Sequence, residues 1–77
     1  MEGKLHSEHS VYGVSLIVKS ESEEIAARCG MTFEASSGSG LRSCRAEIDE
    51  VGRWYLVDAD GWRLYNLEGV SVRSCGW

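Results

Sequence analysis

Residues 53–68, RWYLVDADGWRLYNLE, decide the fold that we predict for this 77-residue chain. The segments RWYLVDA and WRLYNLE are rich in aromatic and aliphatic residues, as strands are, and the Asp60-Gly61 pair between them is a strong hairpin signal. The stretch also holds two of the three tryptophans and two of the three tyrosines. We therefore take it as an aromatic hairpin around which the other elements are arranged.

The hairpin can close in two ways, which give different cross-strand pairs. In a two-residue type I′ turn Asp58 faces Arg63, whereas a three-residue loop over 59–61, with Gly61 in the left-handed region, makes Asp58 face Trp62. We favour the first closure because it sets opposite charges against each other. Both faces of the hairpin are rich in apolar residues in either register. One face should therefore pack against a helix, and the other must be buried by something else.

The composition indicates one small globular domain, with 43% apolar and 26% charged residues. No apolar run is long enough to cross a bilayer, and the first residues lack the pattern of a secretory signal, so we expect a cytoplasmic protein. Twelve acidic against eight basic residues give a net charge of −4, which argues against direct binding of nucleic acid.

Periodicity divides the rest of the chain. Residues 1–9 lack it, which predicts a mobile tail before a single domain over 10–77. Alternating apolar positions predict strands over 11–19, 31–35 and 42–51, and a last short strand around Val70 and Val72.

A short helix is predicted over residues 20–30. Ser20 and Glu23 have capping-box spacing, acidic residues occupy the first turn, and Gly30 suits a helix C-terminus. The chain should therefore adopt an α+β fold, an antiparallel or mixed sheet of five to six short strands with this one helix packed on one face.

No residue constellation indicates catalysis. Cys29, Cys44 and Cys75 lack C-x-x-C spacing, and the two histidines, His6 and His9, lie in the predicted tail. We expect Cys29 and Cys44 to be buried, Cys75 to be exposed, and the chain to be a non-enzyme without metal or cofactor.

The aromatic residues are the strongest functional signal, because one short helix cannot cover all of Trp54, Tyr55, Trp62, Tyr65 and Trp77. Tryptophan, tyrosine and arginine are enriched at binding hot spots, and acidic residues cluster in the same half of the chain and could steer association. The predicted partner-binding residues are Trp54, Tyr55, Trp62, Arg63, Tyr65, Asp58, Asp60, Glu47 and Asp49.

In size, acidity and layout the chain resembles the small phage-encoded inhibitors of bacterial defence, above all anti-CRISPR proteins. The features that carry this resemblance are the capped helix over 20–30 and the aromatic hairpin over 54–65. The resemblance implies an inhibitor that blocks a CRISPR effector or another nucleic-acid-handling complex by direct protein contact.

Our leading hypothesis is accordingly a small, acidic, non-enzymatic protein-binding module, with the hairpin aromatics as its contact surface. The alternative is a structural or regulatory homo-oligomer, such as a homodimer, in which the same face or an edge strand pairs with its copy.

Overall fold

The protein, described here by a computed structural model, is a single antiparallel sheet of eight strands. The structure describes residues 2–37 and 40–74, and within them the chain forms no helix. The predicted α+β class is therefore wrong, and the fold is all-β. The strands are β1 (Glu2–Ser10), β2 (Gly13–Lys19), β3 (Glu24–Ala26), β4 (Thr32–Ser37), β5 (Gly40–Ile48), β6 (Trp54–Val57), β7 (Arg63–Leu64) and β8 (Ser71–Ser74).

The strand order is β3-β2-β1-β8-β4-β5-β6-β7, and the sheet curves so strongly that its two ends meet. The indole Nε1 of Trp54, at the start of β6, donates a hydrogen bond of 2.9 Å to the carbonyl of Val14 in β2. These strands are second and seventh in the order, so they can touch only if the sheet rolls over. The shortest dimension, 21 Å, fits two sheet layers about 10 Å apart with their side chains.

The core fills the inside of this roll. Phe33 and Leu56 are fully buried and face residues from both halves of the sheet, which form one continuous apolar cluster. A rolled sheet covers its own inner face, so the chain needs no helix to bury it. The buried apolar residues are Leu5, Leu16, Val18, Ala27, Phe33, Ala35, Cys44, Ala46, Leu56, Leu67 and Val72.

The predicted mobile tail is a strand. Residues 2–9 lie in β1, which pairs along its length with β2 and at its start with β8, between the two halves of the sheet. Only Leu5 of this segment is buried. One apolar side chain among polar neighbours gives no visible periodicity, although the backbone pairs with β2 from Lys4 to Ser10 and with β8 from Glu2 to Lys4.

The predicted helix over 20–30 is replaced by a turn and the short strand β3. The Ser20 hydroxyl does accept the Glu23 amide, at 3.2 Å, as a helix cap would. The Ser20 amide, however, donates to the Glu23 carbonyl at 2.9 Å, which reverses the chain, and Ile25 then pairs with Val18. The sheet edge gives this segment backbone partners and Ala27 reaches the core, whereas a nine-residue helix would be marginal on its own.

The alternating segments were predicted correctly as strands, with shifted ends. Residues 11–19, 31–35 and 42–51 correspond to β2, β4 and β5, and β8 lies at the predicted last strand. In β5 the inward positions Cys44 and Ala46 are buried, as the pattern required. Cys29, also predicted to be buried, is exposed, while Cys75 and Trp77 lie outside the described residues.

The hairpin closes with the three-residue loop, so the favoured register is wrong. Leu56 faces Leu64, and the Asp58 amide donates to the Trp62 carbonyl at 3.1 Å. Gly61 has φ of 87°, and no residue other than glycine has positive φ among the described ones. A type I′ turn would need positive φ at Asp60 as well, which an aspartate adopts only at a cost.

Candidate functional site: a tyrosine and arginine cluster on the outer face

Two turns of the same design hold β6 in place. In each, an aspartate is followed three residues later by a glycine with φ close to 87°: Asp49 and Gly52 before β6, Asp58 and Gly61 after it. The Asp49 carboxylate accepts the amides of Val51 and Arg53, and the Asp58 carboxylate accepts those of Asp60 and Trp62. This is the pattern of a type I turn with aspartate at its first position.

Each of these aspartates also binds an arginine, and the hydrogen bonds that the carboxylate accepts keep the pKa of the aspartate low. Asp49 accepts from Arg53 Nε at 2.9 Å, and Asp58, whose side chain is 6% exposed, accepts from Arg42. For Asp49 the backbone amide of Arg53 is the largest cause of the lowered pKa, and for Asp58 it is the hydrogen bond from Arg42. Both predicted site residues therefore act in the turns, where the two oxygens of each carboxylate already accept hydrogen bonds.

The two tryptophans of the hairpin face inward. Trp54 and Trp62 are half-buried and pack against the core, and the Arg42 guanidinium lies 4.5 Å from the Trp62 ring centroid. Both were predicted to contact a partner, but the rolled sheet uses them to close its own open side. The sequence analysis missed Arg42 as a neighbour of Trp62, because the two residues are 20 positions apart in the chain.

The tyrosines of the hairpin lie together on the outer face. Tyr55 and Tyr65 have ring centroids 5.2 Å apart, tilted by 31°, and Tyr65 is 42% exposed. Alternation along β6 and β7 puts both on the side opposite the buried Leu56, which faces Leu64 across the two strands.

An arginine covers each tyrosine ring. The guanidinium carbon of Arg63 lies 4.8 Å from the Tyr55 centroid, and that of Arg53 lies 5.1 Å from the Tyr65 centroid. Arg63 also donates to the Tyr65 hydroxyl at 3.4 Å, and this contact is the main cause that raises the pKa of Arg63. We call Arg53, Tyr55, Arg63 and Tyr65 the tyrosine–arginine cluster.

The two arginines of the cluster differ in their ion pairing. Arg53 is paired with Asp49, whereas Arg63 has no ion pair with any carboxylate of residues 2–37 and 40–74. Arg63 is therefore a cation that is held in place by contacts with tyrosine rings and a tyrosine hydroxyl, with the charge of Asp49 acting on it without an ion pair.

The remaining predicted site residues lie at the margin of the cluster. Glu47 faces Tyr55 across β5 and β6 and forms an ion pair of 2.6 Å with Arg45. Asp60 is exposed at the tip of the hairpin. The structure thus brings Tyr55, Arg63 and Tyr65 together, with Glu47 and Asp49 beside them, and places Trp54, Trp62 and Asp58 elsewhere.

A shallow groove of about 400 Å³ opens beside the cluster, over the turn between β5 and β6. Arg53 and Arg63 stand on its sides, Tyr55 forms part of its wall, and Ile48 and Val51 add exposed apolar surface, being 42% and 75% exposed. We call it the outer groove. Asp49 and Glu50 also line the groove, so its two arginines are matched by two carboxylates. The combination of aromatic, aliphatic and charged groups is typical of a site that contacts a protein segment.

The described residues contain no group of three or more His, Cys, Asp or Glu side chains that could hold a metal ion. Burial raises the pKa of the Cys44 thiol, which is not the environment of a nucleophilic thiolate. Nor does any helix in this part of the chain have the length and apolarity needed to span a membrane.

Together, fold and site define an all-β domain with stacked tyrosine and arginine side chains on its outer face. Comparisons of the chain with protein-family models, with curated proteins and with solved structures found no match.

Proposed function

We propose that this chain is a small, non-enzymatic protein-binding module whose contact surface is the tyrosine–arginine cluster. The observation that carries the proposal is that two tyrosines and two arginines are stacked on one another on a face that no described element of the chain covers. Tyrosine and arginine are two of the three residue types most enriched at binding hot spots.

The geometry of the cluster supports this proposal because it lowers the entropy cost of binding. An exposed arginine normally loses much side-chain freedom when a partner immobilises it. Here Arg53 and Arg63 already lie against tyrosine rings, and Asp49 fixes Arg53 from the turn. A partner would therefore meet side chains that are ordered in advance.

Self-association through an edge strand has less support. The edge strands β3 and β7 are three and two residues long, so either offers few backbone groups to a second copy. The outer face could still meet its own copy, and this is a distinct outcome of the experiment below.

Of the two features that carried the resemblance to anti-CRISPR proteins, the aromatic hairpin is present in the structure and the helix over 20–30 is not. An inhibitor that blocks a nucleic-acid-handling complex in the cytoplasm is the narrower proposal that this resemblance leaves. The cluster itself supports only the broader class, a module that contacts another protein.

The experiment is affinity capture with the tagged protein from a lysate of its host, with nuclease treatment, comparing wild type with the Tyr55→Ala/Tyr65→Ala double variant. Tyr12→Ala is the matched control, because Tyr12 is the remaining tyrosine of the chain and is 96% exposed at the tip of the β1–β2 hairpin, outside the cluster. Circular dichroism verifies that each variant is folded.

We expect a stoichiometric protein partner that survives nuclease, is retained by Tyr12→Ala and is lost with the double variant. Equal capture by all three proteins would contradict the proposal. Recovery of the tagged protein alone, together with a mass in solution that rises from monomer to dimer as its concentration increases, would establish self-association instead.

A further inference from the structure

A cavity of about 760 Å³, separate from the outer groove, lies over β1 and β8. None of the residues that line it also lines the outer groove. Alternation puts it on the outer face of the sheet, since Lys4 precedes the buried Leu5 and Ser71 precedes the buried Val72. We call it the lysine cavity. Its volume lies in the range of about 300 to 1,000 Å³ that is typical of sites for small organic molecules.

The pairing of side chains explains why the outer face is hollow at this place. Lys4 stands directly opposite Lys19 on β2 and opposite Ser71 on β8. Like charges that face each other across two strands repel, and Lys19 approaches Glu24 on β3, at 3.5 Å. The short side chain of Ser71 leaves space on the other side, as far as Leu41, which is 54% exposed. Long side chains thus stand around a low centre.

The lining of the lysine cavity gives no net preference for a charged ligand, because three cationic side chains are matched by three carboxylates. The cations are Lys4, Lys19 and Arg73, and the carboxylates are Glu2, Glu21 and Glu68. The walls nevertheless expose mainly carbon atoms, since the aliphatic stems of the lysines and the side chain of Leu41 stand around the opening. These walls suit an uncharged, largely apolar body.

One polar group of the cavity has a fixed hydrogen-bonding role. His6 Nδ1 lies 2.7 Å from one carboxylate oxygen of Glu68, and the other oxygen accepts the Ser7 amide at 3.1 Å. The hydrogen bond from His6 is the main cause that lowers the pKa of Glu68, so this carboxylate is ionised at neutral pH and can only accept. In the neutral imidazole the proton therefore lies on Nδ1, and Nε2 is left as a hydrogen-bond acceptor.

We infer that the lysine cavity binds a small, uncharged molecule with an apolar body and a hydroxyl group, such as a phenol. The body lies between the lysine stems and Leu41, and the hydroxyl donates a hydrogen bond to Nε2 of His6. The balance of charges gives no advantage to an ion, the carbon-rich walls favour the apolar body, and the acceptor favours a hydroxyl over an ether. The inference concerns a surface distinct from that of the proposed function.

The test compares four molecules that share a methylphenyl body: para-cresol, its methyl ether, the anion para-toluate and the cation para-methylbenzylammonium. Binding to the purified full chain is followed by amide chemical shifts in two-dimensional NMR, which also locate the site. Ser71→Phe fills the cavity, Leu41→Ser removes apolar wall, and His6→Phe keeps a ring but removes the acceptor. Ser43→Phe is the matched control, because Ser43 is exposed on β5 and lines neither the cavity nor the groove.

We expect para-cresol to bind with a Kd of about 1 mM, as a molecule of this size can, and with shifts concentrated on β1 and β8. Its methyl ether should bind about three- to tenfold more weakly, because one hydrogen bond is lost. Ser71→Phe and Leu41→Ser should weaken the binding of both molecules, and Ser43→Phe should leave it unchanged. His6→Phe should reduce the affinity for para-cresol to that for the ether and leave the ether unaffected, which a purely structural role of His6 would not produce.

Tighter binding of either charged molecule than of para-cresol would overturn the inference, as would equal binding of para-cresol and its ether. Shifts that map to the outer groove, a loss with Ser43→Phe as large as with Ser71→Phe, or no binding by any of the four molecules would also overturn it. Circular dichroism verifies the fold of each variant, and Leu41→Ser decides if Ser71→Phe does not fold. The capture experiment tests the proposed function independently of these outcomes.

Discussion

At the scale of single residues, the most informative side chains are the two turn aspartates. Asp49 and Asp58 each join a turn to an arginine, so the carboxylates that could have been steering charges hold the hairpins together. Asp58 combines three tasks, since it caps the turn, binds Arg42 and thereby fixes the guanidinium over Trp62. Replacing Asp58 should therefore disturb the packing of Trp62 against the core.

The lowered pKa of Asp58 makes a pH-dependent prediction. A carboxyl group whose pKa is lower in the folded protein than in the unfolded chain contributes stability above its ordinary value, about 4, and loses it as the pH falls through the folded value. Asp58→Asn should therefore be less stable than wild type in urea unfolding at pH 7. The difference between the two proteins should shrink as the pH falls below about 4 and should be smallest once the pH lies below the folded pKa of Asp58, where both side chains are uncharged.

The control for this experiment is Asp60→Asn, which changes an exposed aspartate of the same turn that has no ion pair in the described part of the chain. It should unfold at nearly the same urea concentration as wild type at both pH values. A constant difference between Asp58→Asn and wild type from pH 7 to pH 2 would show that the Asp58 charge contributes nothing.

At the scale of elements, the hairpin loop is the feature on which the tyrosine–arginine cluster depends. The three-residue loop with left-handed Gly61 fixes the register in which Leu56 meets Leu64 on the inner face. A slip of one residue would move the side chains of one strand to the opposite face and separate Tyr65 from Tyr55. The loop therefore sets the functional surface as well as the fold.

We predict that Gly61→Ala destabilises the protein by about 1 to 2 kcal/mol, because alanine disfavours the left-handed region. Gly61→Asn is the matched variant and should lose less, since asparagine tolerates this conformation. Chemical denaturation measures both. An equal loss of stability in the two variants, or no loss of stability in Gly61→Ala, would contradict the loop geometry.

Much of the sheet could be predicted from local patterns, and the failures have physical causes. Alternation in β5 identified Cys44 and Ala46 correctly, because a half-buried strand shows its burial in its sequence. Ser20 and Glu23 gave a capping signal that a helix start and a tight turn share, since both need a hydroxyl to accept an amide three residues on.

The candidate site was predictable in part for the same reason. Tyr55 and Arg63 were identified from residue type, and Arg53 could have been added, since it lies two residues before Tyr55 and so shares its face. The inward position of Trp54 could not be predicted, because its hydrogen bond to Val14 exists only when the two ends of the sheet meet.

At the scale of the whole molecule, the roll explains how residues 2–37 and 40–74 form a core without a helix. The inner face holds the buried apolar residues and the two tryptophans of the hairpin, while the tyrosine–arginine cluster lies on the outer face. Because β1 lies between the halves of the sheet, the first residues of the chain are as central to the fold as the hairpin.

The most direct test of the account is site-specific photo-crosslinking, with benzoylphenylalanine in place of Tyr65 and, in a second protein, in place of Ser71, which is exposed on β8, three places from β6 in the strand order. Both proteins are irradiated in bacterial lysate and analysed by mass spectrometry. We predict a covalent adduct with one protein partner from position 65 and none from position 71. Adducts of equal yield from both positions, or an adduct from position 71 alone, would show that the tyrosine–arginine cluster is not the contact surface.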